Sequence, residues 1–183
     1  VPALAGAPTD EVRSSVDAII EILKDDTIPD EAKKSRVGSM VRERFDFQIM
    51  AQGILATNWK RADKQQRRRF IDLFTELIET TYRDRIDAYN NQEVKYTGER
   101  VQGKKAEVQT MVVTTDVEIP VDYKLVQRGG QWLAYDLIIE GVSLVRNYRD
   151  SYKDIVRKEG MDGLLQRLEV KIAEARKAAE GGK

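Results

Sequence analysis

Three aspartates in this chain stand directly beside aromatic residues: Asp46 between Phe45 and Phe47, Asp122 before Tyr123, and Asp136 after Tyr135. A carboxyl group held in apolar surroundings loses hydration when it ionises, so its pKa rises and it can act as an acid or base near neutral pH. Little other catalytic chemistry is open. Histidine and cysteine are both absent, which excludes the commonest general base, thiolate nucleophiles, disulfides and Cys/His metal sites. No nucleophile elbow forms, because Gly141-Val142-Ser143 is followed by Leu144 and Val145. No phosphate-binding glycine loop and no metal-loop spacing of carboxylates occurs. The plainer reading of the three acids is a helix cap for Asp46 and outward strand positions for Asp122 and Asp136, and it is preferred.

A second group is basic. Lys60, Arg61, Lys64 and Arg67-Arg68-Arg69 cluster at a helix start. Lys+Arg and Asp+Glu balance at 31 each, and no aromatic platform accompanies the run, so nucleic acid is disfavoured. A solvated helix face is the plain reading, and attraction to acidic lipid headgroups or an acidic partner is the alternative.

The frame that must position these residues is one soluble domain. The chain has 183 residues, 41% apolar and 34% charged, enough for a sizeable core. No run of about eighteen apolar residues is present to span a bilayer. The opening "VPALAGAPTD" carries two Ala-x-Ala patterns, Ala3-Leu4-Ala5 and Ala5-Gly6-Ala7, and reads as the end of a signal peptide, so export to an oxidising compartment is expected.

Hydrophobic period sets the elements. Thr9 or Asp10 can cap a first helix bearing Val12, Val16, Ile19, Ile20 and Leu23. Pro29 and Asp30 open a second with Val37, Met40 and Val41. "RFDFQIMAQGILATNW" continues as helical, weakened at Gly53. The longest helix is expected from about Asp63 to Tyr89, with Phe70, Leu73, Phe74, Leu77, Ile78, Thr81, Tyr82, Ile86 and Tyr89 as its stripe. The period then becomes 2. Val94 and Tyr96; Ala106, Val108, Thr110 and Val112; Ile119, Val121, Tyr123 and Leu125; and Leu133, Tyr135, Leu137 and Ile139 make four strands of an antiparallel meander with one apolar face. Turns fall at Gly103, Asp116 and Gly129-Gly130. Helix returns after Gly141, breaks at Gly160, and resumes over Met161–Ile172. The order helices, sheet, helices gives an α+β fold. Residues 1–8 are expected to be a signal-peptide remnant or flexible tail, 9–176 a single domain (9–60 helical, 61–176 helix-sheet-helix), and 177–183 a frayed tail.

The apolar inventory exceeds what one sheet face needs. The stripe of the 63–89 helix is wide, and segments 45–59 and 142–156 add further apolar edges. Periodicity does not separate a filled core from a lined cavity, and an ordinary close-packed core is the default.

"WLAYDLIIEGVSLVRNYR", from Trp132 to Arg149, resembles the signature of the MlaC family, also called the toluene-tolerance auxiliary family. Matches recur in order along residues 10–172: Phe45-Asp46-Phe47 before Met50-Ala51, Trp59 before Gln66-Arg67 and the Phe70/Phe74 helix, Thr81-Tyr82 and Tyr89, "ERVQGKKAEVQT", and Ile119-Pro-Val-Asp-Tyr123. Where the family usually has glycine ahead of the Trp59 region, this chain has Ala56. The resemblance implies a non-enzymatic, periplasmic phospholipid carrier of Gram-negative bacteria. It implies a twisted four-stranded antiparallel sheet of cystatin/NTF2-like kind, wrapped by about six amphipathic helices around an apolar cavity. The implied partners are diacyl phospholipid as cargo, an inner-membrane ABC transporter complex with its periplasmic MCE-type subunit, and an outer-membrane lipoprotein-porin complex. The implied role is maintenance of outer-membrane lipid asymmetry, with a monomeric chain that binds no nucleic acid, metal or cofactor.

The energetics suit such a carrier. Each CH₂ removed from water is worth about 0.8 kcal/mol, so two chains of roughly sixteen carbons carry on the order of 25 kcal/mol of aversion to water. The expected tail lining is Val108, Val112, Val121, Tyr123, Tyr135, Leu137 and Ile139 from the sheet, and Phe47, Met50, Phe74, Leu77, Ile78 and Tyr82 from the helices. Val142, Val145 and Tyr148 are expected near the mouth or upper wall, and Val142→Glu is expected to eject lipid. Of these, Phe47, Met50, Phe74, Tyr82, Val121, Tyr123, Tyr135, Val142 and Val145 lie in the matched motifs; the others rest on periodicity. Two further classes stay open: an NTF2-like enzyme acting on a small apolar substrate through one of the three aspartates, and a periplasmic adaptor with a filled core.

Overall fold

A computed structural model of the chain describes residues 7–83 and 91–181. The N-terminal stretch before Ala7, Ile86 and Tyr89 of the expected helical stripe, and the last two residues of the expected tail lie outside the described residues.

The elements run α1 (Pro8–Lys24), α2 (Asp30–Arg44), α3 (Phe47–Leu55), α4 (Thr57–Arg61), α5 (Lys64–Arg83), β1 (Glu93–Gln102), β2 (Lys105–Val113), β3 (Glu118–Arg128), β4 (Gln131–Ile139), β5 (Val142–Ser143) and α6 (Leu144–Gly181). The fold is α+β. The sheet is antiparallel in the order β1-β2-β3-β4-β5, so it has five strands rather than the four expected. The addition is the two-residue β5, which pairs Ile139 with Val142 and Ile138 with Ser143.

The described residues fall into two compact units, 7–46 with 91–144, and 47–83 with 145–181. The first holds α1, α2 and the sheet. Its core lies on the sheet face that carries Ala106, Val108, Leu125, Trp132 and Ala134, all buried, with Val12 of α1 among them. Register explains the set. Ala106 is paired with Leu125, Val108 with Tyr123, and Tyr123 with Leu137, so one pleat face gathers every other residue of β2 and β3. The alternation expected in these two strands is therefore borne out.

In β4 it slips. A bulge lies where Lys124 is paired with Asp136 but Leu125 with Ala134, leaving Tyr135 as the extra residue. Trp132 and Ala134 take the buried positions, and the expected series through Leu133 and Tyr135 fails there. Tyr135 is corrected to the opposite face, where Lys105 Nζ stands 5.8 Å from its ring centroid.

Helix ends follow local chemistry. Pro8 occupies the first turn of α1, and Ala7 at its N-cap makes no side-chain cap. The expected Thr9 cap is replaced from outside the helix: Glu99 of β1 accepts from the Thr9 N–H at 2.8 Å and from its hydroxyl at 2.5 Å. A reciprocal capping box opens α5, where Gln66 N–H donates to Asp63 at 2.8 Å and Asp63 N–H to Gln66 at 3.0 Å. The helix expected to run through 44–59 is broken. Phe45 bridges to Ala134, and Ala56 takes φ 51, ψ −120 between α3 and α4.

The second unit packs α3, α5 and α6. Phe70, Leu73, Phe74, Leu77 and Ile78 of α5 are buried, as their spacing predicts. Phe70 and Phe74 stack at 5.9 Å, and Tyr148 meets Phe74 edge-on at 5.0 Å. At Gly53 close approach, not helix weakness, is the issue: a Cβ there would stand 2.9 Å from Val145 Cγ1. Arg149 Nε donates to the Gly53 carbonyl at 2.7 Å. Gly160, at φ 74 and ψ −179, kinks α6 where the sequence predicts a break.

Candidate functional site

The first unit contains an apolar cavity of about 160 Å³ under α1 and the end of α2. Val12, Val16 and Ile19 descend from α1 at helical spacing; Met40 and Val41 come from α2, followed by Phe45. The sheet supplies Tyr123, Leu125, Trp132, Ala134 and Leu137. Its size matches an engineered cavity of about 150 Å³ that takes up one benzene.

Polar groups in the wall are few and mostly engaged. Glu11 accepts the Trp132 N–H at 3.0 Å, and Ser15 donates to the Glu11 carbonyl at 2.8 Å. Burial pushes the Tyr123 phenol up. The neighbouring Tyr96 phenol, packed on the same cluster, is pushed up to about 12 by burial, with Tyr123 and Asp17 adding and Arg13 opposing. Both rings stay neutral at physiological pH. Arg44 is the one cation in the wall. It has no carboxylate partner among the described residues.

None of the three candidate acids lines this cavity. Asp46 is buried and ion-paired with Arg128 at 2.5 Å. Asp136, also buried, accepts from the Ser143 hydroxyl at 2.6 Å. Asp122 is paired with Gln109 on the sheet face away from the cluster, where burial and then Glu107 push its carboxyl up. Among the described residues no group of three His, Cys, Asp or Glu side chains could hold a metal ion. The arrangement can take up an apolar group about the size of benzene; none of the three candidate acids faces it.

Of the expected lining residues, Tyr123 and Leu137 reach the cavity wall. Val108 is fully buried beside it in the same cluster. Val112, Val121 and Ile139 lie on the same sheet face, half-buried and further along the strands. Tyr135 is on the other face. Phe47, Met50, Phe74, Leu77, Ile78 and Val145 are buried in the second unit, with Tyr82 and Tyr148 half-buried there. Val142, expected near the mouth or upper wall, is 59% exposed and does not line the described cavity. Glu140 (φ 50) and Gly141 (φ 80) form a tight turn of the primed kind that aims Val142 outward. The reading of the sequence missed the cavity roof. Val12, Val16, Ile19, Met40 and Val41 were visible as helix stripes, but nothing in their spacing says which sheet face they cover.

Comparison with known proteins bears on this geometry. The family model described as "MlaC protein" matches residues 13–170. The intermembrane phospholipid transport system binding protein MlaC of Haemophilus influenzae is 24% identical over 63% of this chain and 57% of its own length. Toluene tolerance protein ttg2D of Pseudomonas putida is 26% identical over 74% of this chain and 65% of its own. The matched region thus spans about three fifths of the length of these relatives. Among solved structures, a phospholipid-binding protein from Ralstonia solanacearum in complex with a phospholipid superposes with a TM-score of 0.84 at 24% identity, covering 93% of this chain and 99% of that one. The fold is therefore shared with that protein, and no helix among the described residues is long and apolar enough to cross a membrane. With a model match over most of its length, the chain belongs to the MlaC family.

Proposed function

We propose that this protein is a phospholipid-binding carrier that shields acyl chain in the cavity beneath α1 and α2. The observation that carries the reading is a largely apolar, partly open pocket whose wall contains a single cation, Arg44, with no carboxylate partner among the described residues. An acyl tail needs apolar burial and nothing more; its phosphate suits an unpaired guanidinium. Family membership and the relatives' names support phospholipid as cargo. On the same support, the chain works in the periplasm and passes lipid between an outer-membrane lipoprotein-porin complex and an inner-membrane ABC transporter complex, sustaining outer-membrane asymmetry. The reading is of a carrier rather than an enzyme.

A cavity of about 160 Å³ accommodates a benzene-sized group, not a whole acyl chain. Loading therefore requires α1 and α2 to lift from the sheet. Tyr123 and Leu137 are the lining residues proposed for the first carbons to enter. The expected residues of the second unit, Phe47, Met50, Phe74, Leu77, Ile78, Tyr82, Val145 and Tyr148, are buried or half-buried within that unit and stay proposed as tail lining there.

Native mass spectrometry with organic extraction tests the proposal. Diacyl lipid that co-purifies with the folded chain, or is taken up from vesicles, supports it; an empty mass with no uptake overturns it.

A further inference from the structure

The second unit holds a cleft of about 410 Å³ lined by Gln48, Trp59, Lys64, Arg67, Arg68 and Asp72, with Ile71 between them. Ion pairing is uneven across this unit. Arg69 is paired with Glu169, Arg157 with Asp154, Arg167 with Glu159, and Arg176 with Glu76. Around the cleft the pattern stops. Lys60, Arg61, Lys64 and Arg68 are exposed and have no carboxylate partner among the described residues. Arg67 is held instead by neutral groups: its Nε donates to the Trp59 carbonyl at 2.8 Å, another nitrogen donates to the Lys60 carbonyl at 3.3 Å, and its guanidinium lies 5.1 Å from the Trp59 ring centroid. These contacts fix the position of the guanidinium and leave it without a carboxylate partner among the described residues. The acids beside the cleft include Asp63, occupied in the capping box, Asp72 in the lining, and Asp162, which accepts from the Gln66 amide at 3.0 Å.

We propose that this cleft is a second site, distinct from the cargo cavity, that docks the protein on an anionic bilayer by seating phosphate headgroups against Lys64, Arg67 and Arg68 beside the Trp59 indole. A chain of zero net charge has no global attraction to such a surface, so the uncompensated patch must supply it. A half-buried indole among cations suits the headgroup layer, where one end of the ring is wet and the other apolar. An acidic protein surface would satisfy the charges but gives the indole and Ile71 no matching layer. The proposal rests on the carrier reading, since the complexes that hand over and receive lipid are set in membranes, yet it is tested without cargo.

Co-sedimentation of the full chain with vesicles provides the test. Wild type should partition onto vesicles of phosphatidylglycerol and phosphatidylcholine at low salt, lose that binding at high salt, and ignore pure phosphatidylcholine. Each basic residue at an anionic surface is worth about fivefold, so Lys64→Gln/Arg68→Gln should weaken partition about thirtyfold. Both positions are exposed, and an unchanged circular dichroism spectrum establishes that the variant folds. Trp59→Phe should remove any blue shift of fluorescence on vesicle binding. Equal binding to both vesicle types, no binding to either, or full binding by the double variant overturns the proposal. Lipid content of the same variant is read by mass spectrometry. Lost docking with retained cargo supports a separate docking site; an empty wild-type cavity with intact docking defeats the cargo reading alone.

Discussion

Glu11 in α1 accepts the backbone N–H of Trp132 in β4 at 3.0 Å, a polar pin from the roof of an apolar cavity to its floor. Glu99 supplies a second pin at the start of the same helix. Charge-assisted bonds to backbone N–H groups are worth about 1.5–3 kcal/mol when buried and less at a wet rim. Glu11→Ala should therefore cost about 1–2 kcal/mol in urea unfolding and raise amide exchange selectively in α1. If α1 is the moving roof, lipid exchange with vesicles should accelerate in this variant; an unchanged exchange rate with loosened α1 would locate the gate elsewhere.

Cargo retention should follow the cavity wall and not the apolar appearance of the sequence. Val41 lies in the wall, so Val41→Trp fills space that a tail would occupy and should reduce co-purifying lipid at least about tenfold, with stability changed by under about 2 kcal/mol. Val142 is solvent-facing, and Val142→Glu should leave lipid content at the wild-type level, contrary to the expectation from sequence.

Ala56 bears backbone strain. Its φ of 51 with ψ −120 is a conformation that glycine adopts without penalty, while a Cβ costs on the order of 1–3 kcal/mol. Glycine also adds entropy to the unfolded chain, worth about 0.4–1 kcal/mol in the opposite direction. The balance favours Ala56→Gly by about 1 kcal/mol, measurable as a raised urea midpoint at constant slope.

How far sequence alone reached is clear from β4 and the segment after it. Over Ala106–Thr110 of β2 and Val121–Leu125 of β3 one parity is apolar or uncharged and the other polar, and Val108 and Leu125 are buried where that alternation puts them. In β4 both parities are apolar, Trp132 and Ala134 against Leu133, Tyr135, Leu137 and Ile139, and a bulge decides between them. A bulge is an event of pairing with β3 and leaves no mark in one strand's own pattern. The turn at Glu140-Gly141 is similar. Its apolar neighbours suggested a continuous lining, whereas two positive φ angles in succession reverse the chain and turn Val142 to water. The fold class, the stripe of α5 and the kink at Gly160 needed only local information and were legible. The cavity, which depends on α1 and α2 meeting strands about a hundred residues later, was not.

Asp122 provides a pH test. Burial and then Glu107 raise its carboxyl pKa. A folded pKa above the unfolded one means that folding favours the protonated form. The group therefore costs stability above its folded pKa, and this cost fades as pH falls through the folded pKa towards the unfolded value. Asp122→Asn should stabilise the protein at pH 7 by roughly 0.5 kcal/mol, the scale of a relieved like-charge cross-strand contact. The gain should vanish below the ordinary aspartate range. A gain that persists in acid would mean that the charge is not its source.

The Glu11–Trp132 pin joins residues 121 apart in sequence, and that separation has a consequence for how the molecule assembles. β1 through β4 can zip as successive hairpins with short loops, an inexpensive closure. The roof, made first as the chain emerges, has to wait for its floor, made last. Until β2, β3 and β4 are in place the apolar stripe of α1 lacks its sheet floor, and the nascent protein exposes the greasy surface it will later use to hide another molecule. Helix docking should thus be the slow, late step of folding, with the aggregation risk concentrated in the interval before it.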